Sequence, residues 1–181
     1  MLVVGWCLST PLAAQERHAS WLVGLAATVG SSWQFEGADL GLKRPVSLGP
    51  IRHLSMVGRF GAFQDEGSFV FGSRGFVAGV ALGAQSGMLP LFDVGTEQNP
   101  YRFALDLTLE ASGYLASNSP FPQGSSWVGL AVLPGLRSLS SDNLGVAVMV
   151  GPVAFIGRET DVRAFLGVRL EVPLARGQPA P

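Results

Sequence analysis

The chain has 181 residues, room for one domain, with 48% hydrophobic and 14% charged side chains and a net charge of −1. Ordinary soluble domains carry roughly 25% charged residues, so a soluble chain of this composition would be short of side chains to cover its surface. Near-neutrality gives no electrostatic footprint for nucleic acid or for an acidic membrane surface.

No apolar run reaches the roughly 18 residues that a membrane-spanning helix needs. The longest, residues 127–136 and 144–157, are interrupted by Pro134, Gly135, Gly151 and Pro152. A membrane protein without spanning helices has to be a closed barrel, because lipid leaves open backbone groups unsatisfied.

At the front, residues 2–8 form a short apolar core, followed by Pro11 and the small residues Ala13 and Ala14 before the polar Gln15 and Glu16. A helix breaker and small residues ahead of a polar stretch read as a signal-peptidase site, so residues 1–14 are expected to be a signal peptide and 15–19 a flexible start. No Lys or Arg precedes the apolar core, which leaves open an upstream start codon or a buried N-terminal segment. Cys7 is the single cysteine and would leave with the signal, excluding disulfides and cysteine-based metal sites in the mature chain.

Alternation with a period of two governs the rest of the chain. In residues 20–32, Trp21, Val23, Leu25, Ala27 and Val29 share one face, with Gly24, Ala26, Thr28 and Gly30 opposite. The pattern is weak in 38–46, where Pro45 points to a strand end or a bulge. Residues 52–63 read as a third strand and 68–83 as a fourth, the latter with a small-residue face of Gly75, Gly79, Ala81 and Gly83. Residues 85–100 and 116–125, rich in Gly, Pro, Ser and Asn, read as loops. Residues 101–115 alternate most cleanly, with Phe103, Leu105, Leu107 and Leu109 facing away from Arg102, Asp106 and Glu110. Residues 126–137 and 144–157 follow. Residues 161–174 end the series, with Val162, Leu166, Val168 and Leu170 facing away from Arg163, Arg169 and Glu171. The expectation is an all-β domain over 20–174, a closed antiparallel up-and-down β-barrel of about eight strands, with 175–181 as a C-terminal tail.

Alternation alone fits either a soluble barrel, apolar inside, or a membrane barrel, apolar outside. The strands whose second face is small decide between them, because Gly-Ala-Val-Met faces turned to water would leave large apolar patches. Inside a narrow barrel the same faces make room for long side chains from neighbouring strands. Leu105, Leu107, Val168 and Leu170 are therefore expected to point outward. Arg102, Asp106, Glu110, Arg163, Arg169 and Glu171 are expected to point inward as a paired lumen network that plugs the barrel, since isolated charges there are costly.

With this pattern the chain resembles the small eight-stranded outer-membrane barrels of the OmpA- and OmpX-like group. Its last strand, Gly167 followed by Leu170 and Val172 in alternation, is similar to that group's assembly signal, although Leu174 is followed by a seven-residue tail in place of a terminal aromatic. Trp21, Trp33, Phe35, Phe103, Phe121 and Trp127 are candidates for the aromatic girdle. The resemblance implies an outer-membrane location, with outer-membrane lipid and the assembly machinery as partners, a structural, adhesive or surface-interaction role, and no catalysis; it names no extracellular partner.

His53 and Ser55 lie two apart on one strand face, where an imidazole could activate a hydroxyl. His-x-Ser on an eight-stranded barrel resembles the outer-membrane lipid A deacylases, with Glu66 as an orienting acid, but that family carries the pair near its C-terminus. The structural reading of the pair is preferred. His18 and His53 are too far apart in sequence to suggest a metal site, and no phosphate-binding loop or dinucleotide fingerprint is present, so no cofactor is expected. The alternative readings are a soluble periplasmic barrel that binds an apolar ligand and a lipid A deacylase-like esterase.

Overall fold

The computed structural model describes residues 19–30, 33–64, 73–96, 99–117, 125–140, 144–157 and 159–174. The expected signal (1–14), residues 15–18 of the flexible start, the tail (175–181), and with them Cys7, His18, Glu66 and Phe121, lie outside the described residues. Nine antiparallel strands follow one another: β1 (Ser20–Val29), β2 (Gln34–Leu48), β3 (Ile51–Gln64), β4 (Ser73–Ser86), β5 (Leu89–Thr96), β6 (Asn99–Ala116), β7 (Ser126–Leu139), β8 (Gly145–Ile156) and β9 (Thr160–Pro173). The sheet order is β4-β3-β2-β1-β9-β8-β7-β6-β5, and β4 also pairs with β6, so the hydrogen-bond ring closes.

Eight of these strands make the ring. β4 pairs with residues 108–116 of β6 and β5 with residues 99–105, so β5 continues the line of β4 along the same edge of β6, past the break at Gly87 and Met88. The ninth strand falls within 85–100, a stretch the sequence presents as a loop. Gly87, Pro90 and Gly95 and the register shift between Pro90 and Phe92 break the two-residue period there. Outward pairing still holds the segment extended: Phe92 stacks on Phe103 at 4.9 Å and Val94 lies opposite Tyr101. Pro45 marks another irregularity, a register shift between Pro45 and Leu48 that lets β2 run on to the tight turn at Gly49, whose φ of 60° suits glycine.

Following directly opposed residues round the ring gives Leu105, Leu136, Val148, Val168, Leu25, Ala38, Phe60, Ala78 and Leu115, a return to β6 ten residues from the start. With strands about 4.8 Å apart and a rise of about 3.3 Å per residue, that offset over eight strands tilts them by roughly 40°, in the usual range for closed barrels. At this tilt ten residues climb roughly 25 Å, the height of an outer-membrane apolar band. Each ring strand has ten residues or more.

Side chains alternate across the wall. On β7, Trp127, Ala131, Leu133 and Arg137 are buried while Val128, Leu130, Val132 and Leu136 are exposed; β9 repeats the pattern with Arg163, Phe165, Arg169 and Glu171 against Val162, Leu166, Val168 and Leu170. The outer face is largely apolar, with Leu25, Phe76 and Leu115 each about 70% exposed; Asp39, Arg59, Asp106, Glu110, Arg137, Arg169 and Glu171 point in, while Glu36, Arg44 and Arg52 have the outward parity.

The interior has two parts. At the end carrying the β1–β2, β3–β4, β6–β7 and β8–β9 connections, Trp33, Phe35, Phe63, Tyr114, Trp127 and Phe155 interlock with ring centroids 5.5–6.4 Å apart. Trp33, Phe35 and Trp127 therefore fill the lumen and are not part of a girdle. They share the inward parity of Asp39 and Arg137, and offset rings gain by packing against one another. Trp21 and Phe103 of the expected girdle do face outward.

Glycines make the space for these rings. A Cβ at Gly79 would lie 2.5 Å from the Tyr114 ring, and Cβ atoms at Gly37 and Gly61 would lie 2.5 and 2.6 Å from Phe35. Gly79→Val is therefore expected to destabilise the fold by about 1–3 kcal/mol through overpacking. Urea unfolding followed by tryptophan fluorescence would read this, and an unchanged midpoint would mean that Tyr114 moves aside freely.

Candidate functional site

The polar half of the lumen is built from residues spaced by two or four along their strands, which keeps them on one face. β2 contributes Asp39 and Lys43, β3 Arg59, β6 Asp106 and Glu110, β7 Arg137, and β9 Arg169 and Glu171, all buried.

Asp39 is the centre of the first cluster. Its carboxylate accepts from Arg59 Nε at 2.7 Å and Nη2 at 3.0 Å, and from Arg169 Nε at 3.0 Å and Nη2 at 2.8 Å. Glu110 closes the cycle, taking Arg59 Nη1 at 2.9 Å and Arg169 Nη2 at 2.8 Å on its two oxygens. Two guanidiniums and two carboxylates alternate, so the group is neutral, and the planar forks of arginine suit this two-sided bridging. The Arg59 guanidinium also lies 4.9 Å from the Phe165 ring centroid and donates from Nη1 to the Tyr114 hydroxyl at 2.7 Å, joining the charged half to the aromatic half.

A second neutral cluster sits toward the end at which β1 begins and β9 ends. Arg137 pairs with Asp106 at 2.7 Å and with Glu171, which also takes Lys43; Gln85 donates to Asp106 at 2.5 Å. The interior space bounded by Lys43, Ser55, Arg137 and Arg169 measures about 10 Å³, on the order of a single water. This arrangement can seal a lumen and lock strand register.

The six residues expected to form one lumen network are divided among four places. Glu110 and Arg169 belong to the first cluster and Asp106 and Glu171 to the second. Arg163 sits at the aromatic end, bonded to Asp161 at 2.8–2.9 Å and lying over the Trp33 ring at 4.1 Å. Arg102 stands past the ring, 3.8 Å from Asp93 on β5. Distance along the strand explains the division: at a rise of about 3.3 Å per residue, same-face residues six or eight apart on one strand are separated by roughly 20–26 Å and lie at different heights. Asp39, Lys43, Arg59, Gln85 and Arg137 were not anticipated. Arg59 could have been, since it has the parity of His53 and Ser55 on β3; Asp39 and Lys43 were hidden by the weak alternation of β2.

His53 is buried on the inner face of β3, with Ser55 one inward position further along. Ser55 Oγ occupies the space where a Cβ at Gly83 would stand. The pair thus meets the lumen.

Tyr114→Phe removes a hydroxyl that accepts from a charged donor. An expected cost of about 1–3 kcal/mol follows, with Asp39 and Glu110 still holding Arg59. Chemical denaturation would check it, and no loss at all would show the Arg59–Tyr114 bond to be replaceable.

Comparison of the chain with protein-family models, with curated proteins and with solved structures finds no match.

Proposed function

We propose that the chain is an integral outer-membrane β-barrel with a structural or surface-interaction role, its lumen closed by ion pairs. The observation that supports this reading is the inverted distribution of side chains, with buried arginines and carboxylates inside and a largely apolar outer wall. Soluble monomers rarely expose contiguous apolar patches beyond roughly 300–600 Å², whereas lipid favours such a wall. Outer-membrane lipid and, through the Gly167–Leu170–Val172 alternation of β9, the assembly machinery are the partners this reading implies. The small free space between the ion-pair clusters favours a plug over a conducting path.

Expression of the full chain in a Gram-negative host followed by envelope fractionation tests the reading. The protein is expected in the outer-membrane fraction, extracted only by detergent, and to run faster on a gel when unheated. Recovery in the soluble periplasmic fraction would overturn it in favour of a ligand-binding barrel.

Inward placement of His53 and Ser55 argues against an esterase, since the acyl ester of a membrane lipid lies outside the wall. Ser55→Ala is expected to leave no enzymatic activity to lose. Serine-dependent release of fatty acid from lipopolysaccharide by the purified protein would replace this reading with the deacylase.

A further inference from the structure

Glu36 departs from the apolar outer wall. It faces outward on β2, one outward position inside Gln34, and its carboxylate accepts from Gln64 Nε2 at 2.8 Å and Gln34 Nε2 at 3.3 Å. Those described partners are neutral amides, one on each oxygen, and each carboxylate oxygen can accept a further bond. A groove of about 1150 Å³ opens on the wall beside it, just above the usual range of roughly 300–1,000 Å³ for ligand sites.

The register explains the groove. On the row through Glu36 the directly opposed residues are Leu166, Ala27, Glu36, Ala62 and Phe76. Alanines on three strands (Ala27, Ala62 and Ala78) make a low floor, and Leu166, Phe60 and Phe76 stand up as walls. The groove runs from the rim, where β2 begins, toward Leu25 and Val168 on the row traced round the ring above. A carboxylate two residues inside the strand start lies near the interface, where its burial cost is small.

We propose that this groove is a binding site for a phospholipid with a primary ammonium headgroup, its acyl chains lying over the alanine floor and its ammonium donating to Glu36. The inference rests on the membrane reading above. Charge complementarity selects the headgroup: a carboxylate held by uncharged amides favours a cation with N–H donors over an anionic headgroup or a quaternary one that cannot donate.

The test uses the full chain inserted into bilayers containing phosphatidylethanolamine, phosphatidylglycerol and phosphatidylcholine with identical acyl chains at equal mole fractions. Lipids retained after mild detergent extraction are then counted by native mass spectrometry. Phosphatidylethanolamine is expected to be enriched about fivefold over the other two, the ratio of an ion pair at a partly exposed site. Glu36→Gln should bring that ratio near one while lipid is still retained, and Ala62→Trp, which fills the floor, should lower the total retained. If Ala62→Trp fails to fold, Ala78→Leu serves the same purpose. A protein that inserts but holds all three headgroups equally, or keeps its preference in Glu36→Gln, overturns the site alone. A chain that never enters the bilayer, seen beforehand by flotation, overturns the membrane reading as well.

Discussion

Asp39→Ala is expected to destabilise the protein by about 3–5 kcal/mol, the cost of removing one partner from a buried charge cluster. Asp39 receives both guanidiniums of its cluster at 2.7–3.0 Å, and both are almost wholly buried. Without it, Glu110 is left with two cations and the cluster carries a net positive charge in a poorly solvated lumen. Pairing the change with Arg59→Met restores neutrality, and the double variant should recover part of the loss. A double-mutant cycle from denaturant midpoints measures this coupling. Strictly additive effects would mean that the four side chains do not act as one group.

The second large effect concerns the outer wall. Leu107→Arg and Val168→Arg should each cost about 2–4 kcal/mol for folding in lipid vesicles, the penalty for a cation near the middle of a barrel's lipid face. Both positions are exposed and lie outside the lumen clusters. On a protein whose outer face met water, the same changes would stay within roughly 0.5 kcal/mol. Refolding titrations in vesicles against detergent give the comparison, and small effects in both media would remove the lipid from that face.

The architecture was legible where the period of two was clean. The long alternation of β6 and β9, with charges on one face only, carries both the strand assignment and the sense of inside and outside. It failed where a residue's height mattered. Arg102 and Arg163 have the parity of lumen residues, yet they lie at opposite ends of tilted strands, and height depends on a register that only the paired neighbours set. It also failed where composition misled: Gly87, Pro90 and Gly95 look like loop residues, but β6 supplies an edge on which Phe92 and Val94 remain extended. Trp33, Phe35 and Trp127 were read by residue type as girdle members, while their parity, shared with Asp39 and Arg137, sends them inward. Asp39, which receives both guanidiniums of its cluster, lies on the strand with the weakest alternation, and no local pattern marks it.

The neutral clusters also bear on how such a wall could come together. β6 carries Asp106 and Glu110 inward, and β9 carries Arg169, whose carboxylate partners lie on β2 and β6. In a single strand or hairpin entering a bilayer, those side chains would meet acyl chains before any counter-charge arrived, at roughly 2–4 kcal/mol for each arginine at mid-depth. Asp39 finds its partners only when β2, β3 and β9 are all in place, and Glu110 adds β6. On the membrane reading proposed above, the energetically cheap route therefore has the sheet curl and its charges neutralise as it crosses, all strands together. Piecewise insertion would have to carry bare ions through oil.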